Sequence, residues 1–173
     1  MNHSEQMNIL FQAAQHGDVT TIRRVLAFLP ELANMENTDG LTPLGYAAHY
    51  GQADAVGILL ELGADVNAIS HSQIAFIPSN TALHAAVAGE RSIEVIRLLL
   101  EHGASPSILD SDGQHTLHSA AFHTDQPELI ELLLQHGADP YGLNSAGDTA
   151  LDIAVARGNI ATAASLREAI ATK

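Results

Sequence analysis

A phrase of seven residues occurs three times along the chain, and a fixed repeat constrains a fold more tightly than any composition does. Leu59-Leu60-Glu61-Leu62-Gly63-Ala64-Asp65 comes back as Leu99-Leu100-Glu101-His102-Gly103-Ala104-Ser105 and again as Leu133-Leu134-Gln135-His136-Gly137-Ala138-Asp139. Their glycines stand 40 and then 34 residues apart. A second phrase, Thr42-Pro43-Leu44-Gly45-Tyr46-Ala47-Ala48, returns at Thr81-Ala82-Leu83-His84-Ala85-Ala86, at His115-Thr116-Leu117-His118-Ser119-Ala120-Ala121 and at Thr149-Ala150-Leu151-Asp152-Ile153-Ala154. These starts lie 39, 34 and 34 residues apart, so two independent markers share one period and are stretched in the same place.

Each period reads as a short helix, a longer helix and an extended turn. Thr42 suits an N-cap and Pro43 the first helical position, where a fixed φ helps and a missing N–H costs nothing. Ala47 and Ala48 let neighbouring helices approach. Val56, Leu59 and Leu60, like Ile96, Leu99 and Leu100, fall on one face of a second helix that stops at Gly63 or Gly103, residues free to take a left-handed C′ conformation. One such hairpin cannot bury its own apolar face, and stacking does so.

These residues resemble the ankyrin repeat family, whose pattern runs T-P-L-H, paired alanines, a glycine, a leucine-rich helix and G-A-D. The resemblance implies an all-α, ankyrin-repeat solenoid of stacked helix-turn-helix units with β-turn fingers. It covers nearly the whole chain as a single domain, 1–173, in five units: an N-terminal cap at 1–37, then 38–70, 71–110 with an inserted turn, 111–144, and a C-terminal cap at 145–173. Ile9 to Ala14 with Gly17-Asp18 and Ile22 to Leu29 form the first unit. Ile160 to Ile170 gives an Ala-rich last helix that buries little area per residue.

Three departures from the pattern stand out. Gly45 and Asp152 replace the His of the phrase, so any hydrogen bond it makes is absent or remade there. His115 replaces the capping Thr and leaves the start of its helix uncertain by one residue. Between Asn67 and Thr81 about six residues are added, within His71 to Ser79. The apolar run Ile74-Ala75-Phe76-Ile77 then either folds back onto the neighbouring repeat or meets a partner or a second copy of the chain.

Charge narrows the function classes. Seven basic against twenty acidic residues give a formal net charge of −13, and Lys173 is the only lysine, so phosphate neutralisation is out of reach. Nucleic acid and anionic membrane are therefore not expected as partners. No run approaches the roughly 20 apolar residues of a membrane span, and Met1 to Leu10 lack a signal peptide's features, so a cytoplasmic protein is expected. The absence of cysteine removes disulfides, thiolate nucleophiles and Cys-based zinc sites without identifying a redox compartment.

No G-x-S-x-G elbow, phosphate-cradling glycine loop or H-E-x-x-H occurs. His115, His118 and His123, with Asp112 and Asp125, form the best metal candidate. His118, like His84, is explained instead by the family's structural hydrogen bond, and five residues from His118 to His123 is a poor helical spacing for joint ligation. The expectation is no cofactor, no metal and no enzyme, with a metal- or histidine-dependent enzyme or a small-molecule binder as the alternative. His102 and His136 fall in the last turn of a second helix, where they suit the dipole. Protonating all ten histidines would move the formal charge from −13 to −3, which would make association pH-dependent.

The resemblance further implies binding through the turn tips and the first helices just after the paired alanines, on a concave face. Carried over, the helix positions are Gln15 and His16, His49 and Tyr50, Ala88 and Glu90, Phe122 and His123, and Ala156 and Arg157. The tips add Thr38, Asp39 and Leu41, then Ser111, Asp112 and Gln114, then Ser145, Ala146 and Asp148. Candidate contacts are thus His16, His49, Tyr50, Glu90, Phe122, His123, Arg157, Asp39, Leu41, Asp112, Gln114, Ile74 and Phe76. Phe122 is either a core contact or exposed, and Tyr50 either a packed ring with a wet hydroxyl or a partner contact. The expected function is to bind, scaffold or inhibit another protein with a basic or mixed surface, the chain itself being a monomer. Occlusion of an enzyme is the alternative within binding.

Overall fold

The paired signals of cap and glycine act where the repeat places them. Thr42 Oγ1 accepts from the Gly45 N–H at 3.1 Å, and Pro43 opens the helix behind it. Gly63, Gly103 and Gly137 follow the second helices with φ of 93°, 89° and 91°, the left-handed conformation that ends a helix without Cβ strain. The computed structural model describes residues 2–90 and 92–172. Among them are ten α-helices in five pairs and no strand. The chain divides into two compact units, 1–104 and 105–173.

The first unit holds α1 (His3–His16), α2 (Val19–Phe28), a 3₁₀ turn (Pro30–Asn34), α3 (Pro43–His49), α4 (Ala53–Glu61), α5 (Ala82–Gly89) and α6 (Ile93–Glu101). α3 packs between α1 and α5, while α2, α4 and α6 form a parallel row. Leu10, Ile22, Leu44, Leu59, Leu83 and Leu99 are fully buried between the two rows. Ala47 and Ala48, both buried, keep the first helices close. Polar side chains also join successive repeats: Gln52 Nε2 donates to the Gln15 carbonyl at 2.9 Å, and Asn34 Nδ2 donates to the Gly63 carbonyl at 2.8 Å.

The second unit holds α7 (Thr116–His123), α8 (Pro127–Gln135), α9 (Ala150–Arg157) and α10 (Ile160–Ala171). α7 packs on α9 and α8 on α10 around Leu117, Ile130, Leu133 and Leu166. α10 buries only Thr162, Ala163 and Leu166, as its Ala-rich sequence implies. α7 begins at Thr116, in register with Pro43 and Ala82, so His115 takes the N-cap position without shifting the helix. Where Asp152 replaces His, the carboxylate remakes the bond: its Oδ2 accepts from the Thr149 N–H and hydroxyl at 2.9 and 2.7 Å. Where Gly45 stands, only the backbone N–H remains to meet the capping Thr.

Candidate functional site

Three of the turns between repeats share one construction. Asn37, Asp110 and Asn144 each open a five-residue finger whose ends pair, N–H to carbonyl, with Leu41, Gln114 and Asp148 at 3.0 Å in every case. In each, the opening side chain's Oδ1 accepts two backbone N–H groups, two and four residues on. An Asx residue therefore fixes the turn from within. Asp39 and Asp112 are exposed at the tips, whereas Leu41 and Gln114 are half-buried at the closing ends. The expected tip residues thus separate into two presented acids and two residues of the finger's base.

The inserted turn keeps the same frame. The Ser70 N–H donates to the Asn80 carbonyl at 2.9 Å, and the buried Ser70 Oγ accepts the Asn80 N–H at 3.0 Å in the manner of the Asx residues. Eleven residues now fill a frame that elsewhere holds five. The insertion also lies back against the preceding finger: the His71 N–H donates to the Gly40 carbonyl at 3.0 Å and the Gln73 N–H to the Asp39 carbonyl at 2.8 Å. A Cβ on Gly40 would stand 2.0 Å from the His71 carbonyl oxygen, so only glycine permits this approach. Ile74 and Ile77 are half-buried, but Phe76 is 86% exposed. The fold-back expectation holds for the backbone, whereas Ile74 and Ile77 are only half-buried and Ala75 and Phe76 stay exposed.

In the first unit, the ends of the first helices carry a chain of rings. Buried Phe11 meets Tyr46 edge-on at 5.3 Å, Tyr46 meets Tyr50 at 5.1 Å, and exposed His49 stands perpendicular to Tyr50 at 5.3 Å. Tyr50 is a packed, half-buried ring. Burial raises the Tyr46 hydroxyl above its ordinary pKa, with its hydrogen bond to Tyr50 and the nearby Tyr50 and Asp39 charges adding to that. His16 is exposed with Nδ1 turned back to the Gln12 carbonyl at 2.8 Å, so part of its polarity is spent on its own helix. Glu90 does not sit at a helix end in this row. It follows α5 in a left-handed conformation, φ 52°, at the register of Gly17, Gly51 and Gly158. The row position itself is Gly89, where a Cβ would lie 2.1 Å from the His49 carbonyl oxygen and no side chain fits.

In the second unit, Phe122 is 46% exposed, which removes the core-contact alternative. The Arg157 guanidinium lies 4.2 Å above its ring and exposed His123 meets its edge at 5.2 Å. A cation over an aromatic face is held by the ring quadrupole, so the two side chains define one another's position.

The histidine and aspartate group near α7 is placed for structure. His115 and His118 stack at 5.2 Å, while His123 lies at the far end of the helix. His118 Nδ1 accepts the His115 N–H at 3.2 Å, and Nε2 lies 3.1 Å from the Gly142 and Asp148 carbonyls, so Nε2 carries the hydrogen of a neutral ring. Burial, with His115 beside it, pushes the His118 pKa below the ordinary value, against the opposing pull of those carbonyls. Asp125 Oδ1 accepts the Thr162 N–H at 2.8 Å, and that backbone bond lowers its pKa. Among the described residues, no group of three His, Cys, Asp or Glu side chains is arranged to hold a metal ion, and no helix is long and apolar enough to cross a membrane. His102 and His136 turn Nδ1 to the Leu98 and Leu132 carbonyls at 2.8 and 3.0 Å, serving their own helix ends.

One set of exposed side chains lies outside both the tips and the helix ends. Ile69, Leu109 and Leu143, 46%, 47% and 59% exposed, each precede the residue that opens a finger. The signal was the register itself, a large apolar residue immediately before Ser70, Asp110 and Asn144.

Comparison with known proteins completes the description. A family model for ankyrin repeats in three copies matches residues 1–70 and 83–172. The chain is 33% identical over 114 residues to the palmitoyltransferase akr1 of Neurospora crassa, a match covering 66% of this chain and 15% of that protein. It is 39% identical over 95 residues to the serine/threonine-protein kinase VIK of Arabidopsis thaliana, 55% of this chain and 20% of that one. Human inversin is 35% identical over 115 residues, 61% of this chain and 10% of its own length. The chain thus spans a fifth or less of these relatives.

Proposed function

This chain belongs to the ankyrin repeat family, and on that premise we propose that its five helix pairs work as one binding domain that holds, scaffolds or inhibits a partner protein through the ends of its first helices and its fingers. Ankyrin repeats mediate protein–protein interaction and are typically non-enzymatic. Folds of this kind leave the partner open, and the exposed surface selects it. The observation that carries it is the presentation of Phe122, 46% exposed beneath Arg157 and beside His123, where homologous helix positions elsewhere carry Tyr50 and His49. Exposed aromatic and arginine side chains held in fixed positions are the usual anchors of an interface.

The partner's surface in this reading is basic or mixed, since a net charge of −13 speeds encounter with positive charge. A cytoplasmic, monomeric protein acting without a cofactor fits the same account. The test is affinity capture from lysate with the native chain and with a folded Tyr50→Ala, Phe122→Ala, His123→Ala variant. A protein retained by the first and lost by the second supports the helix ends as the site. Equal retention moves it to the fingers.

A further inference from the structure

Resting on the binding reading above, we propose that the inserted finger Ser70–Asn80 is a preorganised anchor that seats Phe76 in an apolar pocket rimmed by lysine or arginine on a partner protein. The turn that carries Phe76 is fixed at both ends and in its middle. Ser70 and Asn80 close it with two hydrogen bonds, the Ile77 N–H donates to the Ile74 carbonyl at 3.0 Å, and Gln73 Nε2 donates to the His71 carbonyl at 2.8 Å. Its opening arm, His71–Gln73, is fastened to the preceding finger by the Gln73 and His71 N–H groups, and Glu36 Oε1 takes both the His71 N–H and Nδ1 at 2.8 Å. Ile74 and Ile77 are half-buried, while Phe76 is 86% exposed and is the large apolar side chain that the turn projects.

A hydrogen-bonded turn has little backbone freedom left to lose on docking, so only the rotamers of the Phe76 side chain remain to be ordered. That side chain also carries a large apolar area whose burial is favourable only against another apolar surface. Charge selects the rim of that surface. From Val25 to Glu90 the chain has seven acidic residues and no lysine or arginine. One of the seven, Glu61, pairs with Arg23 at 3.2 Å, while Glu36 immediately precedes the finger against which the insertion lies and the exposed acid Asp39 stands at its tip. An aromatic anchor on an acidic stretch of chain is matched by a pocket edged with positive charge and opposed by one edged with carboxylates.

The experiment places the photo-crosslinking residue p-benzoylphenylalanine at position 76, and in a separate protein at position 122, in the full chain exposed to lysate, and sequences the linked peptides. The proposal expects a link from position 76 to a peptide of another protein with apolar residues flanked by lysine or arginine. It also expects Phe76→Ser to reduce capture of that protein about tenfold or more without moving Tm, and capture to weaken as NaCl is raised. Links from position 122 alone overturn the finger proposal and leave the binding reading standing. Links from position 76 to a second copy of the chain, or to a peptide without basic flanks, overturn the stated partner. No links from either position overturn both readings.

Discussion

The finger Asn144–Asp148 and the finger Ser70–Asn80 occupy equivalent places in their repeats and are held by different chemistry. Asn144 fixes the short one from within, and the His118 ring on the preceding first helix spans the carbonyls of Gly142 and Asp148 at its base. The long one follows a helix in which Gly45 stands where His118 would be, and its closure rests on Ser70 with the backbone pair to Asn80. What the two share is the closing pair. The repeat specifies where a finger begins and ends, and the chain between is free to vary as long as that frame survives. Loop-closure entropy makes this inexpensive, since doubling a loop's length costs only about 0.6 kcal/mol.

The largest effect that would break this comparison is at the seat of the long finger. Gly40→Ala puts a Cβ against the His71 carbonyl at a φ of +73° and is expected to cost about 3 kcal/mol in urea unfolding. Gly147→Ala has a φ of +87° with no neighbouring atom within 4 Å, and is expected to cost about 1 kcal/mol. Equal costs would mean that close approach to the inserted turn is not what requires Gly40. Next come the opening side chains. Asn144→Ala loses three hydrogen bonds, the two accepted by Oδ1 and the 3.3 Å one from Nδ2 to Gln114 Oε1, and should cost about 2 kcal/mol, Ser70→Ala one and about 1 kcal/mol, read from the same unfolding curves.

The imidazole contribution has a pH signature. Because folding lowers the His118 pKa, the unfolded chain binds the proton more readily, so its contribution to stability is complete above about pH 6.5 and declines as pH falls through that value toward the folded pKa. His118→Gln, whose amide can still donate, should flatten the fall in Tm between pH 7 and pH 5, and an unchanged slope would remove the neutral ring from the account. The smallest effect expected is for deletion of residues 72–77, which restores a five-residue finger. It should change stability by less than about 1 kcal/mol.

Much of this architecture was legible in the sequence because the repeat states its own boundaries. The caps at Thr42 and Thr149 and the stops at Gly63, Gly103 and Gly137 are local chemistry, and local chemistry survives packing. The surface was less legible. Glu90 reads as a helix-end contact because α5 is aligned by its paired small residues, yet the close approach of Gly89 to His49 leaves that row position without a side chain. Phe122 reads equally well as core or surface, since an aromatic after paired alanines fits both, and the decision came from Arg157, 35 residues away, lying over its ring. Leu41 and Gln114 look like tips by position and prove to be closing residues because the Asx side chains accept their backbone N–H groups and draw the finger shut there. Ile69, Leu109 and Leu143 were hidden because no rule of composition singles out one exposed leucine from another.

Thr116 adds a detail that no functional role explains: its hydroxyl is buried without a hydrogen-bond partner at the helix position where Pro43 and Ala82 stand in other repeats. An orphaned hydroxyl of this kind costs stability that Ala would recover.

The central claim is that a partner is held by the ends of the first helices and the fingers while the second helices serve the stack. Hydrogen–deuterium exchange on the chain, alone and with its captured partner, tests this most directly. The account predicts slowed exchange at Tyr46–Gly51, Ser70–Asn80 and Ala120–Thr124, with α4, α6 and α8 unchanged. Protection confined to α4, α6 and α8, with the fingers and first-helix ends exchanging as in the free chain, would contradict it.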